Sequence, residues 1–214
     1  MYSGRILAVG RNKKGKIFGM YRVSSRSFPD RKIITSGTQG LVIPTTNILF
    51  EDINQNPYVS YTCLKIVREF AILTNGEHTT PIAGQINNGL SPRQAMINVL
   101  SGMDYEFDQN GTPRIALVID SKMDISWLGI ISKSQINIQE LNPNFNCGYF
   151  VSTNEFTNIG SDQMFSEFDI ENGKGSAKFI WKGNNIFEEM EFPVCSIGIA
   201  INYPNFDIGT FHGN

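Results

Sequence analysis

Only two histidines, His78 and His212, occur in this 214-residue chain, and only three cysteines, Cys63, Cys147 and Cys195. Two histidines cannot furnish a multi-histidine metal centre. The cysteines are odd in number, lie far apart and form no Cys-x-x-Cys pair, so neither a disulfide framework nor a zinc knuckle is indicated. Each reads as a small buried apolar residue. No stretch approaches the ~20 apolar residues of a membrane-spanning helix. No charged and then apolar leader precedes the first strand-like segment, which predicts a cytoplasmic protein away from membranes. An excess of positive charge is missing too: 18 Lys and Arg face 20 Asp and Glu, for a formal net charge of -2. That balance, with no run of five like charges, argues against nucleic-acid binding. Neither glycine-rich phosphate loop, Gly-x-x-x-x-Gly-Lys-[Ser/Thr] or Gly-x-Gly-x-x-Gly after a strand, is present.

Against this slightly acidic background one segment stands out. Tyr21–Arg31 packs Arg22, Arg26 and Arg31 beside Ser24, Ser25 and Ser27. A guanidinium fork matches phosphate oxygens two at a time, and serine hydroxyls add orientable donors. The segment reads as an anion cradle; the plainer alternative is three solvated arginines in surface ion pairs.

Hydrophobic residues make up 41% and charged residues 18%, which fits one domain spanning residues 1–214 with a sizeable core. Arg5–Gly10 and Lys16–Ser24, joined by a polar Gly-terminated turn, predict a hairpin. Pro29 ends the second strand and leaves the arginine-serine cluster on a strand end and loop. Ile33–Thr35, Leu41–Ile43, Val59–Val67 and Glu69–Thr74 read as further strands. Thr80-Pro81 and Ser91-Pro92 predict two helix starts, the second carrying an apolar face through Ala95, Met96, Val99, Leu100 and Met103. Strands are predicted over Arg114–Asp120, Ile125–Ser132, Asn137–Leu141, Gly148–Ser152 and Cys195–Asn202, with a surface loop over Gly160–Gly175. Ser176–Met190 has helix potential interrupted by Gly183. The order predicts an α+β fold with antiparallel sheets and helices outside.

Three more constellations carry chemistry. In Asn56-Pro57-Tyr58-Val59-Ser60-Tyr61, strand tyrosines are packing residues by default. A tyrosine beside the arginines has its phenolate favoured and can move protons. In Asn75-Gly76-Glu77-His78-Thr79-Thr80, polar groups crowd a strand-to-helix junction whose free N–H groups suit an anion or a polarised carbonyl. Thr80 reads as a helix cap. In Asp104-Tyr105-Glu106-Phe107-Asp108, three carboxylates follow a helix whose dipole they oppose. If the segment is extended, they share one face and suit cation binding, acid-base work or pairing with the arginines.

These stretches, in this order and spacing, resemble the archaeal-type IMP cyclohydrolases. The likeness rests on Met1-Tyr2 with Gly4-Arg5, on Tyr21–Pro29, on Asn56-Pro57-Tyr58 with Tyr61, and on Asn75-Gly76 with His78-Thr79. It extends to Met103–Glu106 with Asn110 and Thr112-Pro113-Arg114. It is specific over Met1–Ile131 and fades beyond, with a divergent tail after Asn137. The resemblance implies a four-layer α-β-β-α sandwich of the N-terminal-nucleophile hydrolase type. It implies closure of 5-formamidoimidazole-4-carboxamide ribonucleotide to IMP with loss of water, a purine nucleotide as the small-molecule partner, no cofactor, no metal, and self-association. Its site residues would be Tyr58 for proton transfer with Arg31 lowering its pKa, Glu106 on the carboxamide side, and Asn75 and His78 orienting the base or formyl oxygen. Arg22, Ser24, Ser25, Arg26 and Ser27 would hold the phosphate, with Tyr61 and Asp104 in support. Two other readings stay open: a nucleotide-binding homologue without catalysis, and an amide or formamide hydrolase. Tyr2 directly after Met1 speaks against the hydrolase, which needs Cys, Ser or Thr exposed at a processed N-terminus.

Overall fold

The continuous apolar runs of β1 (Ile6–Arg11) and β2 (Ile17–Ser24) are buried along their whole length in the computed structural model, which describes residues 1–45 and 60–213, Asn184 by its backbone alone. Strands covered on both faces read as unbroken hydrophobic runs rather than as alternation. Their turn is organised by Asn12, whose Oδ1 accepts from the amides of Lys14 (3.0 Å) and Lys16 (2.9 Å). Such a side-chain acceptor replaces the backbone acceptors that a turn lacks.

Two sheets result. The first runs β11-β10-β1-β2-β12-β13, with β10 at Cys147–Ser152, β11 at Met164–Ser166, β12 at Pro193–Asn202 and β13 at Asn205–His212. The second follows chain order from β3 (Arg31–Ser36) and β4 (Gln39–Pro44) through β5 (Tyr61–Val67) and β6 (Phe70–Thr74) to β7 (Arg114–Asp120), β8 (Ile125–Ile131) and β9 (Ile136–Leu141). Every pairing between these strands is antiparallel. The fold is therefore mixed α+β with mostly antiparallel sheets.

The two-residue period of a strand sorts the side chains. Leu7, Val9, Tyr21 and Val23 of the first sheet meet Leu64, Leu73, Leu117 and Leu128 of the second in one apolar cluster. Their neighbours Ile6, Ala8, Phe18 and Met20 point the other way, into a phenylalanine-rich cluster with α3 (Gly173–Lys182) and α4 (Asn184–Glu188). There Phe168 and Phe179 meet edge to face at 5.0 Å, the arrangement that aromatic quadrupoles prefer. On the far face of the second sheet, Ile72, Ala116 and Val118 pack on Ile82, Ile86, Met96 and Leu100 of α1 (Thr79–Asn87) and α2 (Pro92–Met103). Each buried Ile, Val, Leu or Met among them contributes about 1.5–3 kcal/mol.

Most expected elements are present, with informative differences. Helix α1 starts at Thr79, with His78 rather than Thr80 in the cap position and no side-chain cap. Pro81 is tolerated because the first helical residues have no intrahelical acceptor for their N–H groups. Ser91 does cap α2, accepting from the Gln94 amide. Gly183 divides Ser176–Met190 into two helices, and α3 begins inside the expected 160–175 loop, capped by Asn172. Strand β13 was not anticipated. The run from Asp104 to Asp108 is not a strand, so its three carboxylates do not share a strand face. Among the described residues no helix is long and apolar enough to cross a membrane.

Candidate functional site

The β1–β2 register sets Ile6 opposite Arg22, and the β1–β10 register sets it opposite Ser152. Three chain segments therefore converge at this end of the first sheet: residues before β1, after β2 and after β10. They form a cleft of about 510 Å³ with the loop between α2 and β7. Tyr2, Gly4 and Arg5 line it beside Ser25, Ser27 and Phe28; the loop contributes Glu106, Asp108, Gln109, Asn110 and Thr112, and the β10 end Thr153 and Asn154.

The arginine-serine segment is divided by strand alternation. Arg22 shares the face of Phe18 and Met20, so it points toward α3 and α4 and is fully buried. Its Nε donates to Ser24 Oγ (3.0 Å), Nη1 to the carbonyls of Ile180 (3.3 Å), Trp181 (2.8 Å) and Phe187 (2.9 Å), and Nη2 to those of Met190 (2.5 Å) and Glu191 (3.4 Å). Burial lowers its pKa to about 10, which leaves it charged at neutral pH, facing carbonyls at helix ends. The expectation that Arg22 and Ser24 hold a phosphate is corrected: both are consumed by the interior. Ser25 and Ser27 do line the cleft, and Ser25 Oγ accepts from the Phe28 amide (3.0 Å). Arg26 is exposed, stacks on Tyr2 with its guanidinium 4.4 Å from the ring centroid, and lies 3.7 Å from Glu191. Arg31 is buried and donates from Nε to the Phe28 carbonyl (3.1 Å); burial lowers its pKa.

The expected tyrosine chemistry divides as well. Tyr58 lies outside the described residues. Tyr61 is buried with its hydroxyl 2.7 Å from that of Tyr21, and Arg5 hydrogen-bonds to it. Burial raises the Tyr61 pKa although Arg5 and Arg31 act to lower it. Desolvation of the anion outweighs the attraction of the cations here, so Tyr61 stays a neutral phenol rather than a phenolate.

On the opposite wall, the loop after α2 is folded on itself. The Glu106 amide donates to the Thr112 carbonyl (2.8 Å), and Asp108 accepts from the Thr112 amide (2.8 Å) and hydroxyl (2.6 Å). Asn75 braces the loop from behind: its Nδ2 donates to the Pro113 carbonyl (3.0 Å) and reaches Glu106 Oε1 at 3.5 Å, while its Oδ1 accepts from the Ile115 amide (2.8 Å). Arg114 Nη1 stands 4.0 Å from Glu106 Oε1. Burial still pushes the Glu106 carboxyl up to about 7 against the pull of Arg114. His78 is fully buried with Nε2 2.9 Å from the Ile115 carbonyl, and burial lowers its pKa to about 3. It is therefore neutral, with Nε2–H donating to that carbonyl. Asp104 accepts from the next amide along the chain (2.8 Å) and gives its carbonyl to Arg114 Nε (2.9 Å). Asn75, His78 and Asp104 do not line this cleft; Asn75 reaches it only at Glu106.

Gln109, Thr153 and Asn154 line the cleft without belonging to any motif of the sequence, and Arg5, which belongs to the family likeness, carries no site role there. Arg5 precedes the first strand and Thr153 follows a distant one; only the β1–β10 pairing makes them neighbours. Among the described residues no group of three or more His, Cys, Asp or Glu is placed to hold a metal ion.

A family model described as IMP cyclohydrolase-like protein matches residues 2–205. The chain belongs to that family. A relative from Methanosphaera stadtmanae named IMP cyclohydrolase is 37% identical over 208 residues, 97% of this chain and 98% of its own. A second, from Methanococcus aeolicus, is 38% identical over 210 residues, 98% of this chain and 100% of its own. A third, from Methanopyrus kandleri, is 41% identical over 155 residues, 71% and 74% of the two chains. The family likeness thus continues well past Ile131, through residue 205. The residues after Asn137 belong to it too, and they contribute Thr153 and Asn154 to the cleft.

Proposed function

We propose that the chain is an IMP cyclohydrolase, closing 5-formamidoimidazole-4-carboxamide ribonucleotide to IMP with loss of water. The near full-length match to relatives of that name carries the assignment. The cleft supports it chemically. Ring closure needs the carboxamide nitrogen to attack the formyl carbon of the same molecule, and holding the two together supplies much of the rate. The carboxamide nitrogen and the formamide nitrogen must each lose one proton, and the departing oxygen must gain both to leave as water. A carboxyl titrating near 7 holds both of its forms at neutral pH, which suits it to accept and return a proton. We assign that exchange to Glu106, with Asn75 and His78 as positioning residues behind it.

Ser25, Ser27 and Arg26 are assigned to the phosphate, without Arg22 and Ser24. Tyr58 and Arg31 remain assigned to proton transfer, and no cofactor is required. The three apolar clusters support the four-layer α-β-β-α sandwich of the N-terminal-nucleophile hydrolase type, in one cytoplasmic domain that self-associates. Purified protein with the formamido nucleotide should form IMP, followed by absorbance. Absence of turnover above the uncatalysed rate sinks the assignment, and tight IMP binding without turnover indicates a binding protein instead.

A further inference from the structure

Arg5 is a cation built into the cleft floor with donors to spare. Its backbone is fixed on one side by Thr153, whose Oγ1 accepts from the Arg5 amide (3.1 Å) and whose amide donates to the Arg5 carbonyl (3.0 Å). Flanking bonds extend the clamp: the Ser24 amide donates to Gly4 O (3.2 Å) and the Asn154 amide to Ser3 O (3.1 Å). The side chain is less committed. An arginine has five N–H donors. Among the described residues those of Arg5 meet the Tyr61 hydroxyl and, at 3.4 Å, the Ser24 carbonyl, and no carboxylate lies within ion-pair distance. Tyr61 is itself fixed by Tyr21, so a chain of two hydroxyls orients the guanidinium. Glu106 shares the same cleft and feels the Arg5 charge.

Resting on the ring-closure reading, we propose that Arg5 is a catalytic residue that donates to the formyl oxygen of the substrate. As the carboxamide nitrogen bonds to the formyl carbon, the C=O π pair moves onto that oxygen, and a fixed guanidinium stabilises the charge where it develops. The oxygen then takes up two protons, one released by the carboxamide nitrogen and one by the formamide nitrogen; its bond to carbon breaks with the electron pair leaving on water, and the formamide nitrogen's pair forms the C=N bond. A preorganised donor of this kind strengthens in the transition state and raises kcat more than it lowers KM. The phosphate is the competing partner for the same cation, but the serines that suit it, Ser25 and Ser27, lie beyond β2, whereas Arg5 interacts with Tyr61 and Glu106 in the interior of the site.

The test is Arg5→Gln and Arg5→Lys, each checked by thermal unfolding, assayed on the formamido nucleotide and on the same compound without its 5′-phosphate. Arg5→Gln should lower kcat by roughly 100-fold with KM within about threefold, on both substrates alike. Arg5→Lys, which keeps the charge and loses the fork, should fall between. Added guanidinium should restore part of the kcat of Arg5→Ala, which a purely structural arginine would not allow. A penalty confined to KM that vanishes on the dephosphorylated substrate overturns the proposal in favour of a phosphate contact. Unchanged kinetics in a folded Arg5→Gln also overturns it, while an inactive wild-type protein overturns the ring-closure reading itself.

Discussion

Arg114 brings a guanidinium nitrogen to 4.0 Å from the Glu106 carboxylate, yet the Glu106 carboxyl is pushed up to about 7. At that separation, with Arg114 also paired to Glu77 at 3.2 Å and donating to the Asp104 carbonyl, the cation is shared among several oxygens. Burial of the carboxylate then outweighs what remains of the attraction.

Glu106 therefore makes stability and rate depend on pH in a stated direction. Its folded-state pKa lies above the ordinary 4.5, so the folded protein binds the proton more tightly than the unfolded chain. The stability it contributes is present below pH 4.5 and is lost as pH rises toward 7, an effect on the order of 3 kcal/mol. In denaturant melts the wild type should lose stability relative to Glu106→Gln as pH rises from 4.5 to 7, so that the difference between the two proteins carries this slope. The kcat of Glu106→Gln should fall ~100-fold or more, as for a lost acid-base group. A wild-type rate profile with no inflection near 7 would count against Glu106 as the proton carrier.

Arg22 and Arg26 stand four positions apart and should behave oppositely. Removing Arg22 strands buried carbonyls of Phe187 and Met190, each costing about 1–3 kcal/mol without a donor. Arg22→Met should lose several kcal/mol by chemical denaturation. Arg26→Ala, at an exposed side chain, should shift stability by no more than about 0.5 kcal/mol. It should raise KM about tenfold through a lost charged contact to phosphate. A destabilised Arg26→Ala or a merely KM-altered Arg22→Met would reverse the two roles.

This pair also marks how far the sequence could be read. The segment Tyr21–Arg31 declares guanidinium and hydroxyl chemistry, but composition does not say which way alternate residues of a strand point. That depends on which face meets helices, and the helices over Arg22 come from residues 173–188, far along the chain. Glu106 was found because its carboxylate lacked a helix-stabilising reason to be there. Arg5 has no site role legible in the sequence, because its partner Thr153 is brought to it only by the β1–β10 pairing. The order of elements along the chain and the antiparallel character are legible from local apolar runs and turn residues; the strand order of the first sheet is not, nor is β13, whose polar residues and glycine leave it only half buried.

His78 supplies a pH signal of the opposite sign. Its folded-state pKa of about 3 lies below the ordinary 6.5, so the unfolded chain takes up the proton first. The stability it contributes is complete above pH 6.5 and is lost as pH falls toward 3. Between pH 4.5 and 6.5 it opposes Glu106, and their sum flattens the profile there. His78→Gln, which can keep a donor to the Ile115 carbonyl, should reduce acid sensitivity and add no inflection to the rate profile from pH 5 to 8. An NMR titration that protonates His78 above pH 6 would contradict the buried neutral ring.

Gly4 sets the floor on which Arg5 stands. Its φ of +71° is costly for any side chain, and a Cβ there would lie 2.3 Å from Thr153 Oγ1. Gly4→Ala should cost about 1–2 kcal/mol for the left-handed backbone, and about 1–3 kcal/mol for the overlap. The overlap falls on the hydroxyl that receives the Arg5 amide, so the damage should reach the cleft as well as the fold. Thr153→Ala in the Gly4→Ala background removes the clashing oxygen and should recover the overlap portion alone. A double-mutant cycle by denaturation measures that coupling, and strict additivity of the two substitutions would show that Thr153 does not press on this position.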